Sequence, residues 1–198
     1  MPFLYPAAPV RRRHGPQGYS NYESFRPWLR DEFSFRCGYC LVREQWGKVR
    51  GVFDLDHFVP VSHDPYRERE YDNLVYACAA CNSAKHSQNI RAPYEALNAN
   101  DVQVFEDGRI EARTNAAGEI IEAIGLDSVL NTEFRRDWIR IIALARLHDR
   151  ELYYRLMCFP DDLPDLSRLR PPGGNVRPEG VEESWFARRE RSELVAAY

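Results

Sequence analysis

The sequence has 198 residues, which is enough for one ordinary domain or a small catalytic core with appended elements, but not for two full-sized domains. Hydrophobic residues make up 44% of the chain and charged residues 29%, a balance that excludes a disordered protein. The net charge of -3 does not favour a protein that coats nucleic acid by overall positive charge, although it leaves room for a local basic surface.

The chain shows no sign of a membrane span or a secretory leader. Its apolar runs fall short of the roughly 18 residues that a membrane helix needs, and residues 1–16 lack the apolar stretch of a signal peptide. We therefore expect a cytoplasmic protein that does not bind membranes. Since the cytoplasm keeps thiols reduced, the five cysteines favour metal binding over disulfides.

The first predicted element is an extended basic arm over residues 1–20. Four prolines in this stretch oppose regular structure, and Arg11, Arg12 and Arg13 form a cluster of positive charge. Two outcomes are open: the arm is a solvated tail, or its arginines lie on the phosphates of a nucleic acid.

The next part of the chain predicts a helix, two strands and a second helix. Aromatic residues at helical spacing, with Pro27 in the first turn, predict a helix over 22–36. Residues 52–61 alternate apolar side chains and include β-branched residues, which predicts a strand, and 73–77 is its expected partner. The short polar residues from Cys81 onward indicate the first turns of another helix.

Residues 101–159 are predicted to form a hairpin and a helical extension. Apolar alternation on both sides of Asp107 and Gly108 indicates a β-hairpin, because this dipeptide fits a tight turn. Apolar residues at intervals of three and four then predict one long amphipathic helix, with Asn131 or Thr132 as its N-cap.

The rest of the chain carries structural predictions only. His148 lies on the apolar stripe of the long helix and is expected to be a packed core histidine, and Cys158 is expected to be a small buried hydrophobe. Residues 160–181 hold five prolines and three glycines, which predicts a linker, and 182–198 are predicted to form a last helix.

Two Cys-x-x-Cys pairs are the strongest chemical signal in the sequence. Cys37, Cys40, Cys78 and Cys81 can supply four thiolates to one tetrahedral Zn²⁺. Such a site has no open position. We therefore expect a structural zinc that joins the two ends of the intervening segment and stabilises a core over residues 21–100.

The segment between and after the cysteine pairs also holds polar residues suited to hydrolysis. A carboxylate, an imidazole and two amides are provided by Asp56, His57, Asn73 and Asn82. A hydrolytic Mg²⁺-type site needs hard oxygen ligands and a separate base for water. On a helix, His86 would share a face with Asn82 and would complete the metal shell.

The order of these motifs resembles the zinc-containing HNH endonucleases, whose core is a ββα-metal finger. The resemblance covers about a quarter of the chain. It is carried by Cys37-Gly-Tyr-Cys40, Leu55-Asp-His-Phe-Val-Pro60, Asn73-Leu74 and Cys78-Ala-Ala-Cys81-Asn82. With the elements above, it implies an α+β fold with a zinc-stabilised ββα-metal core, an N-terminal helix, a small following hairpin and a long C-terminal amphipathic helix.

The resemblance also implies a role for each matching residue. His57 would be the general base that activates water. Asp56 and Asn82 would hold a catalytic Mg²⁺ or Mn²⁺, with His86 as a further ligand that matches only the colicin-like branch of the family. Asn73 would brace the loop that carries His57. The implied function is a metal-dependent endonuclease that hydrolyses phosphodiester bonds of nucleic acid, with DNA favoured.

Five cations are candidate phosphate contacts: Arg43, Lys48, Arg50, Lys85 and Arg91. Two other functions stay open, a noncatalytic zinc-stabilised module that binds nucleic acid and a subunit whose long helix docks a protein partner. Small HNH proteins often accompany a larger ATPase, and by that analogy the endonuclease would act in restriction or antiphage defence with an ATPase subunit as partner.

Overall fold

A computed structural model describes residues 1–47 and 53–198. Helices and small antiparallel sheets alternate along these residues, which confirms the predicted α+β class. The strands are β1 (Phe53–His57), β2 (Leu74–Cys78), β3 (Val102–Val104) and β4 (Ile110–Ala112). The helices are α1 (Arg26–Glu32), α2 (Ala79–Lys85), α3 (Pro93–Ala96), α4 (Asn115–Ile124), α5 (Val129–His148), α6 (Arg150–Met157), α7 (Glu179–Glu182) and α8 (Trp185–Glu190). Within the described ranges, no helix combines the length and apolarity that crossing a membrane requires.

β1 and β2 form the sheet that carries the candidate site. They pair antiparallel, with Phe53 opposite Cys78 and His57 opposite Leu74. α2 begins directly after β2 and contacts both strands, while α1 contacts β2. Four consecutive residues of β2 are buried, so both faces of this strand are covered. The predicted order of two strands followed by a helix is confirmed.

The helix predicted over 22–36 is shorter in the structure. A 3₁₀ turn covers Tyr22–Phe25, and α1 follows with Pro27 in its first turn, where the missing N–H costs nothing. The φ angles of Ser34 and Phe35 are 53° and 57°, values outside the right-handed helical region. The helix therefore ends before the first cysteine pair.

The arm over residues 1–20 is extended, but it packs against the rest of the protein and is not a solvated tail. Its aromatic side chains Phe3 and Tyr5 belong to the main hydrophobic core. Arg12 is only 6% exposed and forms an ion pair with Glu32 at the end of α1. A buried cation needs such a partner, so Arg12 serves the interior of the protein, whereas Arg11 is exposed.

The hairpin predicted at Asp107 and Gly108 is confirmed. β3 and β4 pair with Val104 opposite Ile110, and Gly108 has a φ angle of 86°. A Cβ atom at Gly108 would lie 2.2 Å from the carbonyl oxygen of Thr132 in α5. Glycine is required here both by the turn and by the close approach of the helix.

The predicted long helix is present as α5, but it ends earlier than predicted and a second helix, α6, follows it. α5 begins after Ser128, whose side chain accepts a hydrogen bond from the first turn, so Asn131 and Thr132 are not the N-cap. α5 ends at His148, and the carboxylate of Asp149 caps α6. Asp149 is a favourable N-cap residue. The helical spacing of apolar residues continues across it, so the sequence pattern does not indicate the break between α5 and α6.

Two predicted core residues are less buried than expected. His148 is exposed, so its prediction as a packed core histidine is wrong. The buried residues of α5 are Arg135, Ile142 and Ala145, so the buried face shares Ala145 with the predicted stripe but is rotated by about one residue and leaves His148 outside. Cys158 is half-buried, with its Sγ atom 3.7 Å from the carbonyl oxygen of Arg155.

Residues 160–181 are not a free linker. Leu163 and Leu166 are buried, and Asn175 forms an antiparallel bridge with Pro16 of the arm. The prolines and glycines exclude long helices and strands in this segment, but they do not prevent it from packing.

The helix predicted over 182–198 is limited to α8. Residues after α8 fold back, and the ring of Tyr198 stacks on Phe159 with 3.8 Å between the centroids. The end of the described chain is therefore part of a small second hydrophobic cluster.

Candidate metal centre and active-site cleft

Four cysteine sulfurs lie together beside the β1–β2 sheet. The Sγ atoms of Cys37, Cys40, Cys78 and Cys81 are all within 4.8 Å of one another. The Sγ atoms of Cys40 and Cys78 are 3.7 Å apart. A zinc tetrahedron with Zn–S bonds of about 2.3 Å has an edge of about 3.8 Å. The predicted cysteine cluster is confirmed, and its donor set fits a structural zinc.

The first cysteine pair lies on a tight turn held by backbone hydrogen bonds. Leu41 N donates to Cys37 O at 3.0 Å, and Cys37 N donates to Val42 O at 2.9 Å. Gly38 N donates to Tyr76 O in β2 at 2.8 Å, which attaches the turn to the sheet. This attachment brings the first pair of sulfurs to the pair that follows β2.

The sulfurs also change one another's protonation. Hydrogen bonding with Cys37 lowers the pKa of Cys78 and raises the pKa of Cys40 and Cys81. Buried thiolates at this separation repel one another, and a divalent cation removes the repulsion. The electrostatics of the cluster therefore agree with a zinc site.

His57 is the last residue of β1, at the opposite end of the strand pair from Cys78. Its Nε2 atom lies 2.8 Å from the carbonyl oxygen of Glu68, and its ring packs edge-on against Tyr22 at 4.9 Å between centroids. A carbonyl oxygen only accepts, so Nε2 carries the proton and the neutral ring has its lone pair on Nδ1.

Asn73 is fully buried and connects two segments around His57. Its Oδ1 accepts from Val59 N at 3.0 Å, and its Nδ2 donates to Val59 O at 3.0 Å and to Arg67 O at 3.1 Å. Arg67 directly precedes Glu68, whose carbonyl holds the imidazole. The contacts of Asn73 therefore join the end of β1 to the loop that orients His57, while its part in catalysis stays a prediction.

Asp56 is 5% exposed, and both of its carboxylate oxygens have partners. The Tyr39 hydroxyl donates to Oδ2 at 2.5 Å, and Nζ of Lys85 lies 3.0 Å from Oδ1. Burial and the charge of Asp56 raise the pKa of Tyr39, so its hydroxyl stays a donor. Lys85 is 1% exposed and also donates to His57 O at 2.7 Å. Its predicted phosphate contact is wrong, because its ammonium group is held inside the protein.

Asn82 and His86 both line the cleft, but Asn82 lies within α2 and His86 follows its end. The Nδ2 of Asn82 donates to Asp54 Oδ2 at 3.0 Å, so its amide oxygen is the atom that it can offer to a cation. α2 ends at Lys85, and His86 has φ and ψ of 50° and -130°. The prediction that His86 shares a helical face with Asn82 is therefore wrong. His86 is exposed, with Nδ1 2.9 Å from Ser87 Oγ.

One open cleft of about 370 Å³ brings the predicted active-site residues together. Its lining includes Asp56, His57, Asn82, Lys85 and His86. The carboxylate and the amide are hard oxygen donors, which are the ligands that Mg²⁺ and Mn²⁺ prefer. The donor set fits a divalent ion beside an imidazole, with Asp56 already paired to an ammonium group.

Arg43 does not reach the surface. It is 1% exposed, and its guanidinium lies 4.1 Å from the centre of the Tyr198 ring. Burial and the nearby charge of Arg36 lower the pKa of Arg43 to about 10. Its predicted phosphate contact is wrong, because its side chain is enclosed by the end of the described chain.

The other basic candidates have different outcomes. Arg91 is exposed and forms an ion pair with Glu119 at 3.4 Å, so it stays a candidate phosphate contact. Lys48 and Arg50 lie outside the described residues.

Three residues at the site were not singled out from the sequence: Tyr39, Asp54 and Glu68. Asp54 lies two residues before Asp56 in β1, and side chains two residues apart in a strand lie on the same face. The sequence could therefore have predicted that Asp54 lies near Asp56. Tyr39 lies within the first cysteine pair. Glu68 contributes its backbone carbonyl, and the residue type at a position does not reveal such a contact.

Comparison with known proteins agrees with this arrangement. Residues 37–88 match the family model described as HNH endonuclease. The matched range begins at the first cysteine and includes the cleft residues from Asp56 to His86. No curated protein matches the chain.

Proposed function

Because residues 37–88 match the HNH endonuclease family model, we propose that this protein uses Mg²⁺ or Mn²⁺ to hydrolyse phosphodiester bonds of nucleic acid, with DNA favoured. The observation that carries the proposal is the cleft in which an oriented imidazole lies beside a carboxylate and an amide. Phosphoryl transfer to water requires a base and local positive charge, and this cleft can provide both.

His57 acts as the general base. Its Nε2–H is held by the Glu68 carbonyl, so the lone pair on Nδ1 is the atom that takes a proton from water. The resulting hydroxide attacks phosphorus, and the bond to the 3′ oxygen breaks. The 3′ oxygen leaves with the bonding electrons and takes a proton from solvent water, so the products carry a 5′-phosphate and a 3′-hydroxyl.

The residues beside His57 provide the charge. A divalent ion held by the carboxylate of Asp56 and the amide oxygen of Asn82 would stabilise negative charge on the phosphate and the departing oxygen. Asp54 orients the Asn82 amide, and Tyr39 and Lys85 hold the carboxylate in one rotamer. Fixed donors of this kind reduce the reorganisation that the reaction needs.

Cleavage of supercoiled plasmid in Mg²⁺ or Mn²⁺ tests the proposal, with single-stranded RNA as the competing substrate. Replacing the general base should lower the rate at least about 100-fold, so His57→Ala should leave the plasmid intact. His63→Ala is the matched control, because His63 is an exposed histidine in the same segment and should retain wild-type cleavage.

Two results would contradict the proposal. Cleavage that persists in His57→Ala would remove His57 as the base. Binding of DNA without cleavage in either metal would favour the alternative, a noncatalytic zinc-stabilised module. Binding itself should weaken as salt rises, since contacts such as Arg91 would displace counterions from phosphate.

A cytoplasmic role in restriction or antiphage defence, with an ATPase subunit as partner, extends the proposal by analogy with small HNH proteins. A bacterial host that expresses the wild-type chain with such a partner should resist phage, and a host with His57→Ala should not. Equal plaque counts in the two hosts would contradict the extension without affecting the nuclease proposal.

A further inference from the structure

A side chain outside residues 37–88 holds the backbone next to the active-site loop. Nη2 of Arg12 donates to Tyr71 O at 3.0 Å, and Nη1 donates to Leu74 O at 3.1 Å and to Asp72 O at 3.5 Å. These three carbonyls surround Asn73 in the chain. One guanidinium thus fixes the backbone on both sides of the asparagine.

Arg12 is itself firmly placed. Its guanidinium lies 4.6 Å from the centre of the Tyr71 ring and 4.9 Å from that of Tyr94, and its Nε is 3.4 Å from Glu32 Oε2. Glu32 also accepts a hydrogen bond from the Tyr71 hydroxyl at 2.6 Å. Burial disfavours the charge, but Tyr71 and Glu32 outweigh it, and the pKa of Arg12 is raised.

The contacts continue from these carbonyls to the imidazole. Asn73, placed between them, binds Arg67 O through its side chain. The next carbonyl, that of Glu68, accepts the hydrogen bond from Nε2 of His57. A displacement of the backbone at 71–74 would therefore move the His57 ring through two hydrogen bonds, one from Asn73 to Arg67 O and one from His57 to Glu68 O.

We propose that Arg12 is a positioning residue for His57, so that the arm over 1–20 completes the active site of the HNH domain. The proposal rests on the proposed nuclease function for its kinetic consequence, but not for its structural one. Arg12 is buried and does not line the cleft. It fixes the backbone on both sides of Asn73, and Asn73 in turn holds the loop whose Glu68 carbonyl orients the base.

The shape of the guanidinium is the decisive property. Its planar fork reaches three carbonyls in fixed directions, whereas the ammonium of a lysine is a single point charge. Arg12→Lys therefore keeps the charge beside Glu32 and loses the fork. Arg11→Lys is the matched control, since the Arg11 side chain is 86% exposed and lies 4.0 Å from Glu179.

The test measures kcat and KM on a short DNA duplex, together with the ¹⁵N shifts of the His57 ring nitrogens in histidine-labelled protein. A small misplacement of a catalytic group costs up to about 100-fold in rate, so we expect kcat of Arg12→Lys to fall about 10- to 100-fold. KM should stay within about 3-fold, because substrate contacts are unchanged. The Nδ1 and Nε2 shifts should move towards each other as the tautomer preference weakens, while Arg11→Lys matches wild type in every measurement.

Wild-type kcat together with wild-type His57 shifts in Arg12→Lys would overturn the proposal. Unfolding of Arg12→Lys would also overturn it, because Arg12 would then be a residue of global stability. If the wild-type chain proves not to be a nuclease, the ring shifts still decide whether Arg12 orients His57. Failure of this inference and failure of the proposed function are thus distinguishable.

Discussion

The ion pair between Asp56 and Lys85 lies beside the imidazole of His57. Both side chains are buried, and the two atoms that meet, Oδ1 and Nζ, are 3.0 Å apart. The ammonium compensates the charge of the buried carboxylate. The pair therefore fixes the Asp56 carboxylate at the cleft, where its role as a metal ligand stays a prediction, and Lys85 is a structural cation there.

Asp56→Asn should abolish turnover while the zinc stays bound. The cysteine cluster does not involve Asp56, but the substitution removes the carboxylate that we propose as a ligand of the catalytic ion and leaves Lys85 buried without a counter-charge. The free energy of unfolding should fall by about 3–5 kcal/mol. Metal analysis should find one zinc per chain, as in wild type, and plasmid cleavage should be lost. Loss of zinc would show that the two metal sites are not separate.

The ββα element has the four cysteine sulfurs at one end and the hydrogen bonds around His57 at the other. Cys78 is both the last residue of β2 and the residue before α2, so a metal bound to its sulfur would fix the angle between strand and helix. Two short strands and a seven-residue helix bury little surface alone. We therefore expect a zinc ion bound by the four sulfurs to hold the element together.

Cys78→Ser should remove the zinc and unfold the ββα element. Three thiolates and a hydroxyl bind zinc far more weakly, and the folding of such an element is coupled to metal binding. Zinc content and the thermal unfolding curve measure the effect. Cys158→Ser is the control, because Cys158 lies outside the cluster and its replacement should keep one zinc per chain. Full zinc occupancy in Cys78→Ser would contradict a four-cysteine site.

At the scale of the whole molecule, both ends of the described chain are attached to α1 at Asp31. His14 Nε2 lies 2.8 Å and Arg13 Nη2 3.0 Å from Asp31 Oδ2, and the backbone N–H of Trp185 donates to Asp31 Oδ1 at 2.7 Å. One buried carboxylate thus joins the arm, the first helix and α8. The parts on either side of the ββα element fold as one unit with it.

Deletion of residues 1–20 should destabilise the entire protein. The deletion removes the cations that compensate Asp31 and Glu32, and an uncompensated buried charge costs about 3–5 kcal/mol. Since a domain of this kind has a total stability of about 5–15 kcal/mol, we expect the truncated chain to be largely unfolded at 37 °C. Circular dichroism against temperature measures this. An unchanged melting temperature would mean that the arm is dispensable, as a solvated tail would be.

The candidate site shows which parts of an active site a sequence can reveal. Asp56, His57 and Asn82 carry side-chain chemistry at a recognisable spacing, and the structure places them around one cleft. Their catalytic roles stay predictions. Glu68 and Arg12 were missed, because one contributes a backbone oxygen and the other comes from a distant segment.

Three features could be predicted from neighbouring residues alone: the two cysteine pairs, the turn at Gly108 and the order of the ββα element. Ligand spacing and turn geometry are local, so a few adjacent residues specify them. Which charges are buried could be read only from the folded protein. Arginine and lysine are usually surface residues, but Arg12, Arg43 and Lys85 are buried here. Their respective partners, Glu32, Tyr198 and Asp56, lie far from them in the sequence. Burial of a charge depends on that distant compensation, which no local pattern encodes.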